Sequence, residues 1–226
     1  MSTILLVRHA QGSFGEADYD ALSELGVRQV AMLVHHVTRR GITVHRVVSG
    51  ALTRQLETAA PIAAAAGRTT IVDPRWDEYD ADDILSVHSS SPVRLGRRDD
   101  SAPPVSARDF QDVLEGALEA WLDAHDAGPA GETWPAFAGR VRTALAELAD
   151  SLPSGTTAVV ATSAGALAAI CVALLELPDA ALLAFNRVAV NCGVTKLVHG
   201  RRGTTLISFN DHAHLELPGE SLISYR

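Results

Sequence analysis

The sequence predicts an α/β protein with three layers, α/β/α: a mostly parallel central sheet, one antiparallel edge hairpin and a helical lid insertion. Three observations carry that expectation. Short apolar runs alternate with amphipathic segments in a strand-helix-strand rhythm, which implies right-handed crossovers and a parallel sheet. Two alternating stretches near the carboxyl end flank Gly200-Arg201-Arg202-Gly203, a hairpin signal. Between about residues 76 and 134 the rhythm breaks into an irregular loop and helical segments, which read as a lid packed over the carboxyl edge of the sheet.

Each element follows from its residues. Ile4-Leu5-Leu6-Val7 is four aliphatics in a row, the pattern of a strand covered on both faces, and Arg8-His9 with Gly12 and Gly15 follows at its carboxyl end. An amphipathic run through Val27, Val30, Ala31, Val34 and Val37 reads as a helix, with Ser23 as N-cap and Gly41 just past its end. Val44 to Ser49 is a second strand, and Ala51 to Ala66 a helix ending at Gly67. Thr69 to Val72 is a third strand, leading into the acidic run Asp73 to Asp83.

Residues 86 to 106 have no apolar period and read as a mobile loop. Helical periodicity spans Ala107 to Ala127 and, after Gly128-Pro129-Ala130-Gly131, Thr133 to Leu152, with Thr133 as a cap. Thr156 to Thr162 is the next buried strand, and Ser163-Ala164-Gly165 turns into an alanine-rich helix through Leu175, closed by Pro178. Val188 to His199 and Thr204 to Phe209 form the hairpin. We expect one domain over residues 1–226, with the lid at about 76–134.

Composition narrows the function. Hydrophobic residues make up 47% and charged residues 20%, as in a globular enzyme, and the formal net charge is −8. That charge argues against nucleic-acid or anionic-membrane partners, so an anionic substrate needs locally concentrated arginine. Cys171 and Cys192 lie in apolar neighbourhoods without metal spacing and are expected as core thiols in a reducing compartment. The amino terminus carries no signal-like segment, and a cytoplasmic location is the expectation.

Arginine is concentrated at two strand ends. Arg8 and His9 end the first strand, and Arg54 falls on the first turn of the second helix, where backbone N–H groups and the helix dipole favour an anion. Two guanidiniums beside a helix terminus suit a phosphoryl group, and a histidine next to them can carry it covalently.

These residues resemble the histidine phosphatase superfamily, which includes the cofactor-dependent phosphoglycerate mutases. Leu6-Val7-Arg8-His9-Ala10-Gln11 is similar to the family's L-V-R-H-G signature, and Ser49 to Ala59 to its S-x-x-x-x-R-x-x-x-T-A segment. Glu78 falls in an acidic segment like the family's, and Asn191 to Leu197 with Asn210 to Leu215 resembles its closing hairpin. The resemblance implies His9 as nucleophile, Arg8 and Arg54 as phosphate clamps and Glu78 as proton donor, with Asp77 and Asp80 as neighbouring alternatives. It also implies Gln11, Ser163 and Ala164 as substrate-binding residues, a small phosphate ester as substrate, and no cofactor or metal.

Three residues depart from the family pattern. Ala10 stands for the signature glycine, and Gly15 for an asparagine seen in mutase-like members. In Thr162-Ser163-Ala164-Gly165, Ser163 replaces the second catalytic histidine, a change that resembles a bacterial branch with a T-S-G-type turn. Reduced turnover is then expected, and a noncatalytic phosphate binder is the first rival. A serine hydrolase built on Ser163, with Asp179, Asp211, His212 and His214 downstream, is the second. His212 and His214 have H-x-H spacing but no third metal ligand in view, and Arg94, Arg97 and Arg98 read as a solvated lid cluster or an anion contact. Alanine-rich helices and an apolar hairpin are compatible with a homodimer.

Overall fold

The strand order β3-β2-β4-β1-β5-β6 places the first strand, β1 (Ser2–Arg8), between β4 (Thr157–Thr162) and β5 (Val194–Gly200). β1 runs parallel to β4, β4 to β2 (Arg46–Ser49), and β2 to β3 (Thr70–Val72). β5 joins β1 antiparallel and pairs antiparallel with β6 (Gly203–Asp211) across the Gly200–Gly203 turn. The computed structural model describes residues 1–13, 20–88, 107–124, 131–217 and 219–225. Within those residues the layered α/β architecture expected from the sequence is present.

The continuous apolar run of β1 is explained by burial on both faces. Leu5 and Val7 pack in one cluster with Val30, Leu33, Ala59 and Ile62, from α1 (Glu24–Arg39) and α2 (Thr53–Ala65). Ile4 and Leu6 belong to the other cluster, with Leu145 of α5 (Trp134–Ser151) and Leu167 and Ile170 of α6 (Ala164–Leu174). Every residue of α6 from Ala164 to Val172 is buried, which accounts for its lack of a polar face.

The punctuation signals are realised as expected. Ser23 caps α1 by accepting from Gly26 N–H at 3.0 Å, and Gly41 takes φ +64° just beyond the helix end. Thr133 caps α5 by accepting from Ala136 N–H at 3.3 Å. The buried face of α1 differs from the expected one, because Val27 is 59% exposed while Gln29 is fully buried. Gln29 is tolerated there because its amide is satisfied: Oε1 accepts from Gln11 N–H at 2.9 Å, and Nε2 donates to Leu222 O and Ser224 Oγ, each at 2.8 Å.

Two further expectations are corrected. Ser86 to His88, read as loop, are the last turn of a short helix α3 (Ala81–His88), whose Ile84 and Leu85 are buried. Its period is short, and its polar residues mask it. The strand expected from Val188 begins only at Val194: Val188 closes a helix α7 (Ala181–Val188), which buries Leu182, and residues 189–193 form the turn between them. The rest of the expected loop, 89–106, with Arg94, Arg97 and Arg98, lies outside the described residues.

Between β3 and α5, the helices α3 and α4 (Ala107–Asp123) pack on each other. An aromatic cluster ties this region to α5: Trp121 lies 5.6 Å from Tyr79 and 5.7 Å from Trp134 between ring centroids, and Tyr79 lies 5.7 Å from Phe137. Tyr79 directly follows Glu78, so the packing of the insertion and the placement of that carboxylate are coupled. Cys171 and Cys192 are free, buried thiols, and burial pushes the Cys171 thiol up to about 12.

Candidate active site

The chain leaves the sheet at the carboxyl end of β1, and its backbone from Arg8 to Ala10 is hydrogen-bonded there on both sides. His9 N–H donates to Thr162 O at 2.7 Å, Arg8 N–H to Gly193 O at 3.2 Å and Cys192 N–H to Arg8 O at 3.0 Å. Ala10 N–H donates to Thr58 Oγ1 at 2.9 Å, and that hydroxyl donates to Arg54 O at 2.7 Å. The Asn191 amide donates to His9 O at 2.9 Å. A backbone held in this way gives the His9 ring a fixed base.

The imidazole tautomer follows from its partners. His9 Nδ1 lies 2.7 Å from Ala10 O, which only accepts, so Nδ1 carries the hydrogen. Nε2 therefore holds the lone pair, and Arg54 Nε donates to it at 3.2 Å. Burial first, then the charges of Arg54 and Arg8, hold the imidazole well below its ordinary 6.5. His9 is a neutral base with its lone pair facing a guanidinium.

Arg54 sits on the first turn of α2, as the sequence implied. Its Nη1 pairs with Asp20 Oδ1, and Asp20 Oδ2 accepts from Thr53 N–H at 2.6 Å. Asp20 thus caps α2 from a distant loop while orienting its arginine. Arg8 is buried at 9% exposure and its Nη1 donates to Ala189 O. The segment that supplies this carbonyl is pinned by Asn210, whose Oδ1 accepts from Val190 N–H at 2.8 Å and whose Nδ2 donates to Val188 O at 2.8 Å. Cys192 in that segment adopts φ +60°, a left-handed conformation that places its N–H on Arg8 O.

Glu78 is the acidic residue of its run that faces this centre. Its Oε2 accepts from Gly165 N–H at 3.1 Å, at the start of α6, and Oε1 from Tyr79 N–H at 3.3 Å. Burial raises its carboxyl above the ordinary 4.5, against the opposing pull of Gly165, Arg54 and Arg8. The same two arginines therefore act on His9 and on Glu78. Asp77 instead holds the turn before α2 by accepting from Ala51 N–H at 2.6 Å, and Asp80 Oδ1 accepts from Asp83 N–H at 3.0 Å in the first turn of α3.

Gln11 is tied to the start of α1, its Oε1 accepting from Ser23 Oγ at 2.8 Å. Ser163 and Ala164 are buried at 0% and 6% exposure at the start of α6. Ser163 Oγ accepts from Gln55 Nε2 at 2.8 Å, and among the described residues no histidine bonds it. His214 is buried instead beside α1, its ring centroid 5.1 Å from that of His36, and His212 lies 3.6 Å from Glu216. The serine-hydrolase arrangement is therefore not assembled at Ser163.

Four positioning residues escaped the sequence reading: Asp20, Gln55, Asn191 and Arg140. Arg140 of α5 donates from Nη1 to Arg75 O and Asp77 O, each at 2.8 Å, and from Nη2 to Glu78 O at 3.3 Å. It also pairs with Glu132 at 2.6 Å and lies 4.7 Å above the Phe137 ring. No spacing rule connects residues so far apart in the chain. Asp20 is an acid between β1 and α1, and Gln55 and Asn191 fall within the segments that carry the family resemblance, but their contacts were not assigned.

A sheet that brings Arg8 and His9 to its carboxyl edge, beside Arg54 on the first turn of α2 and the half-buried Glu78 carboxyl at the start of α6, is the frame of an α/β enzyme. Residues 4–125 and 105–212 match the histidine phosphatase superfamily (branch 1), and the chain belongs to that family as one of its enzymes. It is 27% identical over 231 residues to a protein of Yersinia pestis (strain Pestoides F) described as a probable phosphoglycerate mutase GpmB, covering 96% of this chain and 97% of that one. A mycobacterial glucosyl-3-phosphoglycerate phosphatase, Rv2419c, solved with inorganic phosphate, superposes with a TM-score of 0.66 at 25% identity over 95% and 99% of the two chains. Bacillus stearothermophilus YhfR shares the fold, with a TM-score of 0.71 at 17% identity over 96% and 100% of the chains. No helix among the described residues is long and apolar enough to cross a membrane.

Proposed function

We propose that the protein is a phosphomonoester hydrolase that works through a phosphohistidine on His9 and acts on a small phosphorylated metabolite. The observation that carries this reading is the His9 ring: its Nδ1 hydrogen is fixed on Ala10 O, and its Nε2 lone pair is directed at the Arg54 guanidinium at 3.2 Å. A phosphoryl group entering between them meets a neutral nucleophile on one side and a cationic clamp on the other.

In the first step Nε2 attacks phosphorus in line. The bond from phosphorus to the leaving oxygen breaks, and Glu78 gives that oxygen its proton. In the second step water attacks the phosphohistidine and gives a proton to Glu78, while the N–P bond breaks and His9 returns to its neutral form. Arg8 and Arg54 neutralise the phosphoryl charge throughout, so no metal is required of the described residues. In this reading the helices α3 and α4 belong to a lid of about residues 76–134 over this edge of the sheet, within one domain, whose contacts select the leaving group. The phosphoglycerate and glucosyl-3-phosphoglycerate chemistry named for the relatives fits a small, acidic substrate.

Substituting His9→Ala tests the scheme. Hydrolysis of p-nitrophenyl phosphate and acid-labile phosphate labelling should both disappear; retained turnover in this variant sinks it. The rival reading, a phosphate-ligand binder without turnover, is favoured by the single feature of Ser163 in place of a second histidine. Stoichiometric binding of phosphate with no hydrolysis by the wild-type protein would establish it.

A further inference from the structure

Gln55 lies one residue beyond the clamp Arg54, and its side chain bonds Ser163 and Trp76 rather than His9. It is fully buried, as is Ser163. Gln55 Nε2 lies 2.8 Å from Ser163 Oγ and 3.2 Å from Trp76 O. The Trp76 carbonyl only accepts, so the group facing it is the NH2 of the amide, and both amide hydrogens are committed. Gln55 Oε1 is turned toward the start of α2, 3.4 Å from Leu52 N–H, which agrees with that orientation.

A direction follows for the hydroxyl. Ser163 Oγ is an acceptor on its Gln55 side, so its own hydrogen must point elsewhere. Trp76 O is already taken by Gln55 Nε2 and by Thr162 Oγ1 at 2.6 Å. No described residue accepts the Ser163 hydrogen. Thr162, the neighbour of Ser163, accepts His9 N–H on its carbonyl at 2.7 Å, and Gly165, two residues on, donates its N–H to the Glu78 carboxylate at 3.1 Å. Ser163 therefore lies between the anchor points of His9 and Glu78.

We propose that Gln55 is a positioning residue that fixes Ser163 as an acceptor on its inner side, so that the serine hydroxyl donates its hydrogen to a phosphoryl oxygen held at His9. The amide-hydroxyl pair then supplies, without charge, the donor that a second histidine supplies elsewhere in the family. The same amide also holds Trp76 O, two residues before Glu78, and so couples the donor to the acid. This inference rests on the phosphohistidine reading of the site.

The experiment is a cycle of Ser163→Ala, Gln55→Leu and the double variant, with kcat and KM measured on p-nitrophenyl phosphate and vanadate affinity measured by calorimetry. Loss of a hydrogen bond to a charged group should lower kcat about 10- to 100-fold in Ser163→Ala, with KM nearly unchanged. Vanadate should bind about tenfold more weakly or worse. Gln55→Leu should reproduce these losses, and the double variant should add nothing to them. Gln55→Glu should reverse the bond, since a carboxylate accepts from Ser163. Its kcat relative to wild type should be low at neutral pH and recover as the pH falls through titration of the introduced carboxyl.

Unchanged kcat and vanadate affinity in Ser163→Ala, or losses that multiply in the double variant, overturn the proposal. Ser163→Ala removes a single oxygen, so its outcome decides the matter whether or not the Gln55 variants fold, which thermal melting reports. Vanadate affinity remains decisive even if wild-type turnover is absent. Failure of the underlying reading is recognised separately, by hydrolysis that survives His9→Ala.

Discussion

The Nε–H of Arg54 is aimed at the lone pair of His9 Nε2 across 3.2 Å, while its Nη1 is held by Asp20. In the mechanism we propose, the nucleophile is thereby covered by the cation that is to receive the phosphoryl group. Substrate entry must exchange the His9 bond for phosphoryl oxygens, with Asp20 keeping the guanidinium in place. Arg54→Lys should lower kcat/KM by about 10²–10³, because an ammonium cannot give the side-on fork of donors. Steady-state kinetics on p-nitrophenyl phosphate checks it.

Asp20 also presents a negative charge to Arg54, next to the phosphate position of the proposed mechanism. Asp20→Asn should tighten inhibition by inorganic phosphate severalfold, since Arg54 loses its standing counter-ion. It should also cost about 1 kcal/mol of stability through the weakened cap on Thr53. Phosphate inhibition constants and thermal melts separate the two effects, and weaker phosphate inhibition would count against the counter-ion role.

In the proposed mechanism the pH profile is set by the two perturbed groups. His9 is lowered from 6.5, so its nucleophilic form persists below that pH, and the acidic limb of kcat/KM should lie below 6.5. Glu78 is raised above 4.5, so its protonated form persists above that value and its ionisation sets the alkaline limb. Glu78→Gln should abolish that limb and slow alkyl phosphates by about 10²–10⁴, but p-nitrophenyl phosphate much less, since nitrophenolate leaves without a proton. A rapid-quench burst with accumulated phosphoenzyme should appear in this variant, because the second step lacks its base.

Acid should destabilise the fold through buried imidazoles. His214 is lowered from 6.5 to about 4 by burial and by His36 beside it, and His36 and His9 are lowered too. In each case the unfolded chain takes up the proton first. The stability these neutral rings contribute is thus complete above pH 6.5 and declines as pH falls, for His214 through about 4. Denaturant midpoints measured across that range should fall, and His214→Phe should flatten part of the decline.

Gly165 leaves no room for a side chain. A Cβ there would stand 2.5 Å from a Tyr79 ring carbon and against Glu78 Oε1. Gly165→Ala should cost about 1–3 kcal/mol and displace the Glu78 carboxylate, lowering kcat with it. Arg140→Ala, which releases the carbonyls of Asp77 and Glu78, should lower kcat in the same direction without touching the phosphoryl group. Comparing the two by kcat and by melting temperature distinguishes a displaced acid from general loss of fold.

The layered sheet, the caps at Ser23 and Thr133 and the meeting of Arg8, His9 and Arg54 were legible in the sequence. Each rests on a short-range rule: an unbroken aliphatic run, a hydroxyl before a helix, an arginine on a first turn. Glu78 was named from the resemblance with Asp77 and Asp80 as neighbouring alternatives, and its contact with Gly165 N–H could not be read from the chain. The short helices α3 and α7 were missed because eight residues hold too few turns for a period to show.

The contacts that hold the site together belong to tertiary structure. Asp20 reaches Arg54, Gln55 reaches Ser163, Asn191 reaches His9 O and Arg140 reaches Glu78 O, across sequence separations of 34, 108, 182 and 62 residues. A hydrogen bond of that range leaves no spacing in the chain, because the sheet order and not the sequence order brings its ends together. The opening strand and its Arg8-His9 pair were thus determined by local sequence. The ring tautomer, the covered lone pair and the direction of the Ser163 hydroxyl were decided by partners that only folding supplies.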